Sequence, residues 1–365
     1  MSESARRTGA SPTSPSAEPD SPRGGTELGR RTLFRGTLAT LLLAGCGGAG
    51  AAPPARIEAP SAAPPLAVAK LTSLLALARL RWVILVRPRE IASLPFLIPS
   101  LGQVISEERF ARFALSSGID LRQVTEAAVA TYADKDGDVT FSLVRHNGDP
   151  AVIERLFRRR FSADERRVVE RPDLTRVSGK IGARSETMVV LGRDVVGYQQ
   201  GGSTSRGPAR VAALYATGKL TRSPSLLAEE PICALATRFG ATPAQAFALG
   251  PFEGELARGA RGLLAGATAI GAAVRPSARD GIGLVLAVAG DFTTSGAVAS
   301  AALLAAWNDL ATGGFGHLLA LDEPVEPPLA THGPGAVTVA VELDPKKLAR
   351  GLAAATSGTL AEIMR

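Results

Sequence analysis

Arg30 to Gly48 reads RRTLFRGTLATLLLAGCGG, and it divides the chain before any fold is considered. Arg30, Arg31 and Arg35 precede the run Thr37–Ala44, which is apolar apart from two threonines. A membrane-spanning helix needs roughly 20 apolar residues, so this run is too short to remain as one. Positive charge, a short apolar stretch and small residues, in that order, are the layout of an export signal. The competing reading is a buried apolar helix of a cytosolic protein.

Leu43-Ala44-Gly45-Cys46 resembles the lipobox of bacterial lipoproteins: an aliphatic residue, two small residues and the cysteine that receives diacylglycerol. The resemblance implies cleavage before Cys46 and an acylated N-terminus. A thiol, as thiolate, is the nucleophile that thioether formation requires. Gly47, where aspartate would imply retention at the inner membrane, implies the outer membrane facing the periplasm. Arg30-Arg31-Thr32-Leu33-Phe34-Arg35 also resembles a twin-arginine signal, which exports a protein already folded. Leu33 and Phe34 are transposed relative to that pattern and Gly29 replaces the usual Ser or Thr, so general secretory export stays open as the other route.

The domain plan follows. Residues 1–45 are leader, with a Ser/Pro/Gly/Arg-rich start that cannot bury enough surface to fold. Residues 46–66 form a tether, with five prolines among Ala, Gly and Ser. Without the leader's six arginines and four acids, 35 basic and 30 acidic residues remain. A balance of +5 with only 5% aromatic residues lacks the concentrated basic face and stacking rings of a nucleic-acid binder.

The remainder alternates short helices and strands. Leu66–Leu80 reads as a helix and Trp82–Val86 as a strand. Phe110, Phe113 and Ala114 have helical spacing between Ser106 and Gly118. Ala127–Tyr132 and Val139–Val144 flank an Asp-rich turn as a hairpin, and a second pair folds back at Gly192-Arg193-Asp194. Asp149-Pro150 and Asp344-Pro345 start helices with a cap and a preset φ. Hairpins require antiparallel neighbours, and few long helices separate consecutive strands. The expectation is α+β: antiparallel sheets with helices packed on one face, as two pseudo-repeated modules, 67–225 and 226–365, about 145 residues apart.

Chemistry is sparse. Asp134, Asp136 and Asp138 lack the glycine at position six and the glutamate at position twelve of a calcium loop, and read as a solvated turn. His146, His317 and His332 have no second ligand at metal spacing, so no metal is assigned and no cofactor. Gly201-Gly202-Ser203-Thr204-Ser205 lies between strand and helix, where amides hold anions, but lacks the residues of a P-loop or a nucleophile elbow. Arg155, Arg158, Arg159, Arg160, Arg166 and Arg167 form a candidate anion-contact patch, with Glu154, Asp164 and Glu165 interleaved. Trp307 reads as core. Cys233 reads as a buried thiol with no disulfide partner once Cys46 is lipidated.

These residues imply a protein attached to the membrane through its N-terminal lipid, whose molecular role is binding an envelope protein, lipid or polymer. The alternative is a periplasmic hydrolase assembled only in three dimensions, with Ser295, Asp309 and His317 as its members. A cleft joining those three separates the two readings.

Overall fold

Of the chain, the computed structural model describes residues 64–135, 137–221, 225–292 and 294–356, all within the unit Ala62–Arg365. Arg30, Arg31, Cys46, most of the tether and Asp136 lie outside the described residues. After a 3-10 turn at Leu71–Leu74 come β1 (Leu80–Val86), α1 (Pro88–Ala92), α2 (Ile98–Val104), α3 (Glu107–Ser117), β2 (Glu126–Asp134) and β3 (Gly137–Arg145). Next are α4 (Pro150–Arg158), β4 (Ala163–Arg171), β5 (Leu174–Ile181), β6 (Arg184–Leu191), β7 (Val195–Gln200) and α5 (Pro208–Ala216). The second half begins with α6 (Ile232–Phe239), β8 (Ala244–Leu249), α7 (Gly254–Arg258), a 3-10 stretch at Ala260–Gly266 and β9 (Ala267–Pro276). It ends with β10 (Ile282–Gly290), α8 (Gly296–Ala311), α9 (Gly314–Leu318), β11 (Glu326–Gly333), β12 (Ala336–Leu343) and α10 (Pro345–Thr356).

Local chemistry sets the firmest boundaries. Ser106 accepts a hydrogen bond from the Arg109 N–H and starts α3, and Gly118, at φ 77°, ends it. Asp149 Oδ1 accepts from the Ala151 N–H at 2.8 Å ahead of Pro150. Asp344 does the same for the Lys346 N–H at 2.8 Å. The helix expected over 66–80 does not form; only Leu71–Leu74 coils there, burying Leu71 and Leu74.

All twelve strands join one open sheet, ordered β11-β12-β10-β9-β8-β1-β2-β3-β7-β6-β5-β4. Every neighbour is antiparallel, so the α+β, antiparallel expectation holds. The two halves share that sheet, with β1 paired to β8 at its middle, Trp82 opposite Ala248 and Val86 opposite Ala244. Outward from this pair the order is β1-β2-β3-β7-β6 on one side and β8-β9-β10-β12-β11 on the other. This is the pseudo-repeat, with Gly137 of β3 and Ile282 of β10 standing 145 positions apart. The β4–β5 hairpin is added only to the first half.

Helices cover both faces rather than one. Strand alternation puts Val189 and Leu191 into a back core with α5 and α6, while Met188 and Val190 face α4 in front. Likewise Ala287 and Ala289 point back, and Val288 points forward into a core with Leu303 and Trp307 of α8. The back core is continuous; the front has one core at each end. Both sheet edges resist further pairing. β4 is lined with Asp164, Glu165, Arg166 and Arg167, and β11 carries Pro327 and Pro328 with a break in register.

The front core of the second half depends on a close helix approach. A Cβ at Gly351 of α10 would lie 2.1 Å from the Leu318 carbonyl oxygen of α9 and 2.7 Å from the Leu319 Cα. Backbone atoms cannot yield as a side-chain tip does. Gly351→Ala should therefore cost about 1–3 kcal/mol. The expected result is a lower urea midpoint with an unchanged slope; an unshifted midpoint would show that α9 and α10 are free to separate.

Candidate functional site

The gap between the two front cores is the feature that stands out. Pairing puts Trp82 and Ile84 of β1 on the front face, in rows with Ala248 and Ala246 of β8. Those rows continue through Ile270 and Ala272 of β9 to Val288 and Leu286 of β10. Trp82 and Ile84 are each 37% exposed although they sit at the centre of the sheet. A large apolar side chain there is normally covered, and leaving it in water forfeits roughly 1.5–3 kcal/mol.

The groove has a simple origin. Ala246, Ala248 and Ala272 present only methyl groups, so its floor lies low. Trp82 and Ile84 rise on one side, and Ala260 and Leu264 of the 3-10 stretch, with Leu303 of α8, rise on the other. The enclosed volume is about 410 Å³, and every lining residue is apolar or glycine. Sites for small ligands typically run from about 300 to 1,000 Å³, most with a few polar anchors. This one has none, which points to a hydrocarbon. Its outer wall is braced by Arg261, whose guanidinium holds Asp309 of α8 at 3.1 Å.

The candidates from sequence are dispersed. Asp309 is occupied by Arg261, and His317 Nδ1 lies 2.7 Å from Asp322 Oδ2. Ser295 precedes the first residue of the 16-residue α8 and Asp309 lies near its other end, about 20 Å away at 1.5 Å per residue. The three do not form a triad. Among the described residues there is no group of three His, Cys, Asp or Glu able to hold a metal. Asp134 and Asp138 face Arg79 (3.8 Å) and Arg81 (3.1 Å).

The loop 201–205 is closed by Gln199, which is 1% exposed. Its Nε2 donates to the Gly201 and Ser203 carbonyls at 2.9 and 3.2 Å, and its Oε1 accepts from the Ala209 N–H at 3.1 Å. The loop's polar groups are thus used to start α5. In the arginine cluster, Arg158 pairs with Glu165 and Arg167 with Glu154. Arg160 lies 5.6 Å from the Tyr198 ring and 5.7 Å from Phe157. Arg155, Arg159 and Arg166 are exposed. Trp307, 2% exposed, is core. Cys233 is unpaired but only half-buried, a correction to the buried thiol. α6 buries the stripe Ile232, Leu235, Phe239, and position 233 lies about 100° off it.

Beyond Trp82 the front rows turn polar. Trp82 is followed by Thr131, Thr140, Gln200 and Glu186, and Ile84 by Val129, Ser142 and Tyr198. The Tyr198 hydroxyl donates to the Glu186 carboxylate. Burial, and then this bond, push the Tyr198 pKa up to about 12. Sequence reasoning missed the groove because its floor strand, β8, is alanine-rich and carries no strand signal. The polar rows needed the register between strands.

No family model matches the chain, and no curated protein matches it. Among solved structures it is similar to TP0453. Crystal form III aligns over 80% of this chain and 98% of that one, with TM-score 0.45 and 8% identity. Crystal form I aligns over 78% and 96%, with TM-score 0.46 and 8% identity. Likeness at that level says nothing about what the groove holds.

His146 follows β3 and is 5% exposed. Burial pushes its pKa below the usual 6.5, outweighing the Gly148 backbone and the Asp194 carboxylate. The unfolded chain therefore takes up a proton near pH 6.5 that the folded one refuses, and stability present at higher pH is lost as pH falls below that value. Urea unfolding at pH 7.5 and 5.0 should show this loss, and His146→Leu should shrink it. An equal loss in the variant would place the sensitivity elsewhere.

Proposed function

We propose that this protein is a lipid-anchored protein of the bacterial cell envelope that binds the hydrocarbon chain of an envelope lipid in the groove of its central sheet. The observation that carries the reading is the groove itself: about 410 Å³, wholly apolar, and open where a sheet of this width is normally covered. Each methylene drawn from water into it contributes about 0.8 kcal/mol. A hydrolase has no such support, since Ser295, Asp309 and His317 are apart. Attachment rests on Leu43-Ala44-Gly45-Cys46, and no helix among the described residues is long and apolar enough to cross a membrane.

The two tryptophans make a direct test. Trp82 borders the groove, whereas Trp307, 2% exposed, lies behind Leu303 in the core that forms the groove's far wall. Brominated acyl chains should quench Trp307→Phe, whose remaining indole borders the groove, far more strongly than Trp82→Phe, whose remaining indole is shielded by Leu303. Ala246→Phe fills the floor and should abolish quenching without unfolding the protein. Quenching that survives in Ala246→Phe would rule out the groove.

The anchor is tested separately. In a bacterial host, wild type should incorporate radiolabelled palmitate and partition into detergent, and Cys46→Ala should do neither. Several acyl chains on one cysteine suffice for stable attachment, whereas one is marginal. Equal labelling of the two forms would refute lipidation at Cys46.

A further inference from the structure

The apolar groove and the polar rows share one face and meet at Trp82. Trp82 pairs with Ala248 of the groove on one side and with Thr131 of the polar row on the other. Adjacent strands are about 4.8 Å apart, so Thr140 and Ser142 on β3 stand about 10 Å beyond β1.

The polar groups have a definite character. Thr140 is half-buried, and among the described residues its hydroxyl meets only that of Thr131, at 3.4 Å. Ser142 is half-buried with no hydrogen-bond partner among the described residues. Beyond them stand the Gln200 amide and the Glu186 carboxylate, 6% exposed and fixed by Tyr198. Of the cations near this face, Arg160 lies against the Tyr198 and Phe157 rings, and Arg81 is paired with Asp138, two residues before Thr140. Hydroxyls, an amide and an acceptor-only carboxylate recognise hydroxyl groups; a phosphate would meet the Glu186 charge with no bidentate partner facing it.

We infer that the groove and this polar row form one amphiphile site, selective for lipids with a neutral, hydroxyl-bearing head such as a glycosyl diacylglycerol over anionic phospholipids. The inference rests on the groove holding the acyl chain. Trp82 then marks the boundary between chain and head, a position suited to an indole with one apolar body and one N–H.

The full chain is incubated with vesicles containing equal amounts of monoglucosyl diacylglycerol and phosphatidylglycerol with identical acyl chains. Lipid retained after re-isolation is identified by mass spectrometry. Wild type should retain the sugar lipid about tenfold over phosphatidylglycerol, the worth of one or two well-made hydrogen bonds. Ser142→Val keeps the strand and the groove, and should bring the ratio close to one while total bound lipid stays constant. Equal retention by the wild type, or preference for phosphatidylglycerol, would overturn the head-group assignment and leave the groove intact. Retention of neither lipid would overturn both. A sugar-lipid preference unchanged in Ser142→Val, and also in Thr140→Val, would likewise refute recognition by this row.

Discussion

The pairing of β1 with β8 is the contact on which the architecture depends. Each half has a five-strand set with the same order, and either set alone would expose its first strand as a bare edge. An unpaired edge is a template for aggregation. Joining the two first strands removes both inner edges at once. It leaves only the outer edges, β4 with its charges and β11 with its prolines, which are poor templates. Because the joined strands are antiparallel, the back faces align and α5 and α6 can share one core across the seam.

The same junction makes the groove. Each half brings its own helices to the front, α4 on one side and α8 on the other, and they cover the strands farther from the seam. The segment α1–α3 links the two groups, α2 packing on α10 and α3 on α4, yet the front of β1 and β8 stays partly open. The exposed Trp82 and Ile84 are thus a consequence of joining two front-covered modules edge to edge, and their alanine neighbours deepen the channel. The uncovered apolar surface lowers stability, and the continuous back core offsets it. An apolar ligand would return part of that burial, so occupancy of the groove as proposed would raise stability.

Charge plays a local part. Of the six arginines that look like a patch along the chain, Arg158, Arg160 and Arg167 meet Glu154, Glu165 and the rings of Phe157 and Tyr198, while Arg155, Arg159 and Arg166 stay exposed. Glu170 likewise gathers Arg176 and Arg210. Interleaved charges on a helix and an edge hairpin thus meet one another in part, and the remaining arginines face solvent.

What the sequence determined by itself was local or periodic. The caps at Asp149 and Asp344, the stop at Gly118 and the hairpin at 134–138 follow from bonds within a few residues. The α+β class and the repeat follow from the order of such elements. The groove was not so determined. Its floor is β8, whose Ala-Gln-Ala-Phe-Ala-Leu run has weak strand preference and becomes a strand only between β1 and β9. Likewise β11 begins with prolines that read as a loop and is a strand because an edge can spare their missing N–H groups. Which face stays open, and which side chains stand in one row across eight strands, are set by cross-strand register. At the seam the register is fixed by pairing residues far apart in the chain, Trp82 with Ala248, so only the tertiary structure could place Trp82 between an apolar channel and a polar row.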